Sequence, residues 1–147
     1  MLDKSLIGLE TKPRSVDVEK GQLAFFAKAT GQTDPVYFDE SAAKAAGHPA
    51  IPAPPTFLFC LNSMAPGDEN ILRRLGVDIG RVLHGEQQFT YAKPIYAGDT
   101  ITMKTKITDI YDKKGGALDF VVQDTEAQNQ KGESVGVSRT VLVVRNV

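Results

Sequence analysis

Thr56-Phe57-Leu58-Phe59-Cys60-Leu61-Asn62-Ser63-Met64-Ala65 (TFLFCLNSMA, residues 56–65) decides the fold. Apolar side chains occupy nearly every position, so a helix made from it has no polar face and belongs inside the protein. Pro54 and Pro55 stand just before it, where a helix loses nothing from the missing amide hydrogens of proline. Pro66-Gly67 ends it. Such a helix cannot bury itself. It requires a surface that is apolar on one side and wide enough to curve around it.

The C-terminal half of the chain supplies that surface. Ile101, Met103, Thr105 and Ile107 alternate with Thr102, Lys104, Lys106 and Thr108, the period of two expected of a half-buried strand. Lys113-Lys114-Gly115-Gly116 turns this strand into another at Leu118–Glu126, and Gln130-Lys131-Gly132 turns that one into Glu133–Val144. Val82–Tyr91 reads as a further strand, followed by a connector punctuated by Pro94 and Gly98-Asp99. Together the four are expected to form one antiparallel meander. The fold class is therefore α+β, a curved antiparallel sheet wrapped around helix 56–65.

The segments before the central helix are short. Lys12–Val16 is expected to be an extended lead-in, because the residue before Pro13 is pushed out of the helical region. Asp17 is placed to cap a helix over 18–30, whose apolar face carries Leu23, Phe26, Ala27 and Thr30 and which Gly31 closes. Asp34-Pro35 continues the turn, and Val36-Tyr37-Phe38 reads as an extended bridge. Asp39 caps a short helix over Glu40–Ala46, closed by Gly47, and the prolines of 47–55 make a semi-rigid connector. Asp68–Leu75 is expected to be a fourth helix with Ile71, Leu72 and Leu75 on one face.

Composition bounds the function. The chain has 147 residues, fits one domain spanning 1–147, and shows no repeat or linker. Its 17 basic and 18 acidic residues nearly cancel, which gives no electrostatic case for nucleic acid or an anionic membrane surface. No run approaches the roughly 18 apolar residues of a spanning helix. The opening MLDKSLIGLETKPRS lacks the apolar core of a signal peptide, and a lone cysteine cannot form an internal disulfide, so a cytoplasmic protein is expected. His48 and His84 lie far apart, Cys60 has no partner at ligand spacing, and no glycine-rich phosphate loop follows a strand. Neither a metal nor a cofactor is expected. Cys60 reads as a packed thiol, Asp34 as a stabiliser of its own turn, and His84 as a polar opening to an apolar strand.

The order of elements carries a resemblance. Gly31-Gln32-Thr33-Asp34-Pro35-Val36-Tyr37-Phe38-Asp39, then Ala53-Pro54-Pro55-Thr56-Phe57, then Phe89-x-Tyr91-x-Lys93-Pro94-Ile95-x-Ala97-Gly98-Asp99-Thr100 resembles the MaoC-like dehydratase family. The nearest branch is its N-terminal, FAS1-type dehydratase half, which includes the non-catalytic subunits of (3R)-hydroxyacyl-ACP dehydratases. The resemblance implies a hot-dog fold, dimerisation, and an acyl-thioester tunnel at the subunit interface. Catalytic members carry an Asp and a His in the loop after the first helix, which act on a water and on the α-proton. Amides at the start of the central helix would hold the thioester oxygen, with Pro55, Thr56, Phe57 and Phe59 forming a substrate-facing wall. This chain has Gln32 where that Asp belongs and Tyr37 where that His belongs. Glutamine accepts no proton at neutral pH, and an ordinary tyrosine, with a pKa of about 10, is a poor base.

Four functions are compatible with this pattern. The first is an acyl-CoA- or acyl-carrier-protein-binding subunit whose hot-dog partner supplies catalysis. The second is an active homodimeric hydratase with a relocated acid–base set drawn from His84, Asp34 or Tyr37. A hot-dog thioesterase is the third, disfavoured because residues 56–65 contain no Asp or Glu. The fourth is a non-enzymatic thioester sensor or assembly subunit.

Overall fold

The computed structural model describes residues 2–67 and 71–146. Its helices are α1 (Lys20–Ala29), α2 (Glu40–Ala45), α3 (Phe57–Met64) and α4 (Ile71–Arg74). Its strands are β1 (Arg14–Asp17), β2 (Val82–Tyr91), β3 (Thr100–Lys113), β4 (Leu118–Gln128) and β5 (Ser134–Arg145). The five strands form one antiparallel sheet in the order β1-β3-β4-β5-β2. Leu58 and Leu61 of α3 are buried against Ile101, Met103, Ala127 and Val135 of the sheet. This is the helix-in-sheet arrangement of the hot-dog fold.

The expected four-strand meander needs correction. Only β3, β4 and β5 form it; β2 pairs with β5, so the connector after Tyr91 carries the chain to the far side of the sheet. That crossing is pinned by backbone bonds. Ala53 N–H donates to Ile95 C=O (2.7 Å) and Ala97 N–H to Ile51 C=O (2.9 Å). Tyr96 N–H donates to the Asp99 carboxylate at 2.8 Å. The Lys93–Asp99 segment thus clamps the Pro-rich lead into α3.

The N-terminal expectations shift as well. The lead-in is a true strand, because β1 finds the open edge of β3. Asp17 belongs to that strand and accepts from the Thr100 hydroxyl at 2.7 Å rather than capping α1. The N-cap of α1 is Glu19, with no side-chain cap bond. Val36–Phe38 is not extended: Pro35–Tyr37 is a 3-10 turn, because Asp34 accepts the Val36 N–H and Pro35 has the backbone angle a first turn needs. Asp39 caps α2 through the Ala42 N–H as expected. The proposed start of the fourth helix at Asp68 lies outside the described residues.

Helix α3 is not buried all round. Phe57 is 2% exposed and meets Phe26 edge-on, but Phe59 is 38% exposed. The sheet covers one side of the helix, and Phe59 projects towards its β2 edge. A second apolar cluster, with Ile71, Leu75, Ile107, Ile110 and Val121, fills the opposite end of the sheet. Among the described residues, no helix is long and apolar enough to cross a membrane.

Candidate functional site

The loop after α1 is a folded turn. Gln32 N–H donates to Ala27 C=O at 2.9 Å, and Tyr37 N–H to Asp34 C=O at 3.2 Å. The Asp34 carboxylate is engaged by the Val36 N–H at 3.1 Å. Among the described residues, the side chains of Gln32 and Tyr37 make no hydrogen bond, and both are half-buried.

His84 lies elsewhere, and a bulge determines where it points. Gln87 pairs with Thr140 and faces the inside of the sheet, so strict alternation would send His84 outward. The register slips between His84 and Glu86, leaving Gly85 unpaired, and His84 then pairs with Leu142. One extra residue turns the imidazole to the inner face. There it meets Phe59 edge-on, with 5.3 Å between centroids. A second bulge, between Ile107 and Asp109 of β3, sits at the same level of the sheet.

Between the two apolar clusters the inner face of the sheet is polar. Thr105, Thr125 and Ser138 share one row across β3, β4 and β5, and Gln123, Thr140 and Gln87 share the next across β4, β5 and β2. Most of these groups are paired with each other. The hydroxyls of Thr105 and Thr125 are 2.8 Å apart. The Gln87 amide donates to Ser138 Oγ (2.7 Å) and accepts from the Thr140 hydroxyl (2.9 Å). This polar belt carries no sequence signal of its own, since Thr at inward positions also suits an ordinary strand.

A cleft of about 440 Å³ lies between this belt and the C-terminal half of α3. Phe59, Asn62 and Ser63 line it from the helix, His84, Gln123 and Thr140 from the sheet, and Arg14 from β1. Arg14 closes one end by donating to Asn62 Oδ1 (2.8 Å) and to the C=O groups of Asn62 and Ala65, which caps α3. Arg14 carries no signal in the sequence, because β1 is only four residues long, too short to show a period.

A smaller, mostly apolar pocket of about 260 Å³ lies at the opposite end of α3, walled by Pro54, Pro55, Tyr91, Pro94 and Ile95. Burial pushes the Tyr91 hydroxyl pKa up. Lys93 at its rim is hydrogen-bonded to Glu133, which holds that carboxylate below its usual range. The four residues expected to form one wall are therefore divided: Pro55 lines this pocket, Phe59 lines the larger cleft, Thr56 is exposed, and Phe57 is core. Phe57 N–H is bonded to Pro54 C=O and Phe59 N–H to Thr56 C=O. His48, read from the sequence as a loop residue beside Gly47 and Pro49, bonds the Tyr96 hydroxyl through Nδ1 at 3.2 Å. Among the described residues, no group of three His, Cys, Asp or Glu side chains converges to hold a metal.

The family model for the FAS1-like, dehydratase domain region matches residues 5–137. The chain belongs to this FAS1-like dehydratase family. A UPF0336 protein of Streptomyces coelicolor is 39% identical over 145 residues, covering 98% of this chain and 95% of that one. A UPF0336 protein of Thermobifida fusca is 37% identical over 133 residues, covering 90% and 86%. Among solved structures, the C-terminally truncated HadBC (3R-hydroxyacyl-ACP dehydratase) complex of Mycobacterium tuberculosis has a chain that matches with a TM-score of 0.80. That chain is 30% identical, with 94% and 96% of the two chains covered. An (R)-hydratase of A. caviae matches with a TM-score of 0.70 at 17% identity, covering 92% and 94%, which speaks for the fold alone.

Proposed function

We propose that this FAS1-like dehydratase chain binds an acyl thioester, of CoA or of a carrier protein, as the non-catalytic member of a two-chain hydratase/dehydratase. The observation that carries the reading is the loop after α1. At the positions where the sequence resemblance places an Asp and a His, it holds Gln32 and Tyr37, and its two carboxylates, Asp34 and Asp39, are engaged in capping the turn and the helix that follow them. Addition of water across a C2–C3 double bond needs one group to take a proton and another to position or protonate the departing oxygen. This loop offers no such pair. A partner must bring it.

The β2 edge supports a place for that partner. Outside its pairing with β5, the strand has no other neighbour among the described strands, and Leu83 and Tyr91 are each 50% exposed along it. An open edge flanked by exposed apolar side chains is a ready surface for another strand. A homodimer or a heterodimer with a catalytic hot-dog chain would each use it. The similarity to a chain of the HadBC complex favours the heterodimer.

Purified chain incubated with crotonyl-CoA should leave the enoyl absorbance unchanged. Mixing it with a hot-dog chain that carries the Asp and His pair should make hydration appear. A second reading deserves a test because His84 faces a cleft: an active homodimer with a relocated base. Hydration by the chain alone, lost in His84→Ala, would establish that reading and remove the first.

A further inference from the structure

We propose that the cleft under the C-terminal half of α3 receives the distal part of an acyl chain that carries an oxygen acceptor, rather than a plain alkyl tail. This rests on the acyl-thioester reading above and specifies its substrate class. The cleft crosses the whole sheet, from Arg14 on β1 to His84 on β2. That is four inter-strand steps, roughly 19 Å along the sheet at the usual spacing. Its His84 end lies at the open β2 edge, and its Arg14 end is closed by α3. A long chain entering from the edge would run towards a cation.

The lining is polar and holds one cation, with no anion against it among the described residues. Arg14, Asn62, Ser63, Gln123 and His84 all carry N–H or O–H groups, and no Asp or Glu is among the described lining residues. Among the described residues, Arg14 is bonded only to neutral oxygens, and its Nε is buried with no partner. A half-buried guanidinium with no carboxylate bonded to it among the described residues leaves a field that favours an anion or a carbonyl nearby. Among the described residues, the Gln123 amide and the Ser63 hydroxyl make no hydrogen bond, so both are available to a ligand. Phe59, Ile71, Leu72 and Leu142 on the remaining walls suit the methylenes that lead up to the oxygen.

An alkyl tail in this cleft would cover those donors and leave them unpaired, a loss a hydrogen-bonding chain avoids. Sites lined to bond an oxygen discriminate strongly against the analogue that lacks it. A terminal carboxylate would gain most, because it alone uses the Arg14 charge. A terminal hydroxyl would use the neutral donors only.

Calorimetric titration of the full chain with decanoyl-CoA, ω-hydroxydecanoyl-CoA and ω-carboxynonanoyl-CoA tests this. The two oxygenated thioesters should bind about tenfold or more tightly than decanoyl-CoA, with the carboxylate first. Gln123→Leu should erase or reverse that preference, and Arg14→Met should erase the margin of the carboxylate over the hydroxyl. Arg14 also caps α3, so Gln123→Leu, whose side chain holds no other element, keeps the test decisive if Arg14→Met fails to fold. Equal binding of all three thioesters overturns the proposal and leaves the thioester reading standing. A preference for oxygen that Gln123→Leu does not change overturns the placement in this cleft. No binding of any thioester removes the thioester reading, and this proposal with it.

Discussion

The ring of Phe59 meets the imidazole of His84 at an interplanar angle of 69°, joining the exposed side of α3 to the edge strand β2. The contact exists because Gly85 drops out of the β2–β5 ladder. Glycine is required at that point by space. A Cβ at Gly85 would lie 2.8 Å from Val143 Cγ2 and 3.1 Å from the Val141 carbonyl oxygen. The methyl can yield, but the carbonyl belongs to the ladder. Gly85→Ala should therefore cost about 1–3 kcal/mol in urea unfolding. It should also move the His84 ring resonances as the Phe59 ring current changes. Unchanged stability with unchanged His84 shifts would show that the bulge does not hold the imidazole.

The polar belt predicts a non-additive pair. Thr105 and Thr125 are both buried, and each hydroxyl is the other's partner. Thr105→Val strands the Thr125 hydroxyl and should cost about 1–3 kcal/mol, and the same holds for Thr125→Val. The double variant removes both polar groups and should cost less than the sum of the singles. A double-mutant cycle by chemical denaturation measures the difference. Strict additivity would mean that water, not the partner threonine, satisfies each hydroxyl. The Thr11 hydroxyl, which accepts the Thr105 N–H at 3.0 Å, is undisturbed by either change.

Much of this architecture was legible from spacing alone. The apolar run 56–65 and the alternation in 101–108 required a helix held by a one-sided sheet. The glycine turns at 115–116 and 132 joined the long strands correctly. What failed had identifiable physical causes. A four-residue strand such as β1 has too few positions for a period to register, and its partner lies about ninety residues away. The place of β2 next to β5 is a long-range ladder, from Val82 opposite Val144 to Tyr91 opposite Gly136, that no local pattern encodes. For the site, the same limit applies: a bulge that moves by one residue inverts which side chains face inward. Sequence placed Asp34 correctly in its turn, because an Asx cap is a local interaction. It could not place His84 in a cleft, because that depends on Gly85 and Val143 meeting across strands.

Cys60 offers a prediction in pH. Burial pushes its thiol pKa up, since the thiolate would lose hydration beside the core. A thiol whose folded pKa exceeds its unfolded one favours the native state while protonated. That contribution is intact below the ordinary thiol range, near pH 8.5, and is lost progressively above it, so stability should fall on raising the pH past that point. Alkylation by iodoacetamide should follow the same displacement. Its rate against pH should rise at higher pH than for the urea-unfolded chain, and Cys60→Ala should flatten the alkaline part of the stability profile. A rate profile that coincides with the unfolded chain would contradict burial of the thiol.

Leu61 and Phe59 stand two residues apart on α3 and should separate stability from function. Leu61 is fully buried against the sheet, and Leu61→Ala should cost roughly 2–5 kcal/mol through lost transfer energy and the cavity left behind. Phe59 is only partly covered, so Phe59→Ala forfeits a smaller area and its edge-on contact with His84. Its effect on unfolding should be clearly the smaller. On the proposed role, however, Phe59 lines the cleft beside the open β2 edge, where a thioester and a partner chain would meet. Phe59→Ala should therefore weaken acyl-CoA binding or association with a catalytic hot-dog chain by several-fold while the fold stays intact. Leu61→Ala should reduce the folded fraction, with little change in affinity per folded molecule. Titration calorimetry corrected by the unfolding curve of each variant reads the two effects apart. If Phe59→Ala left both affinities unchanged, its exposure would carry no function, and the wall of the cleft would have to be sought among Asn62, Ser63 and the sheet.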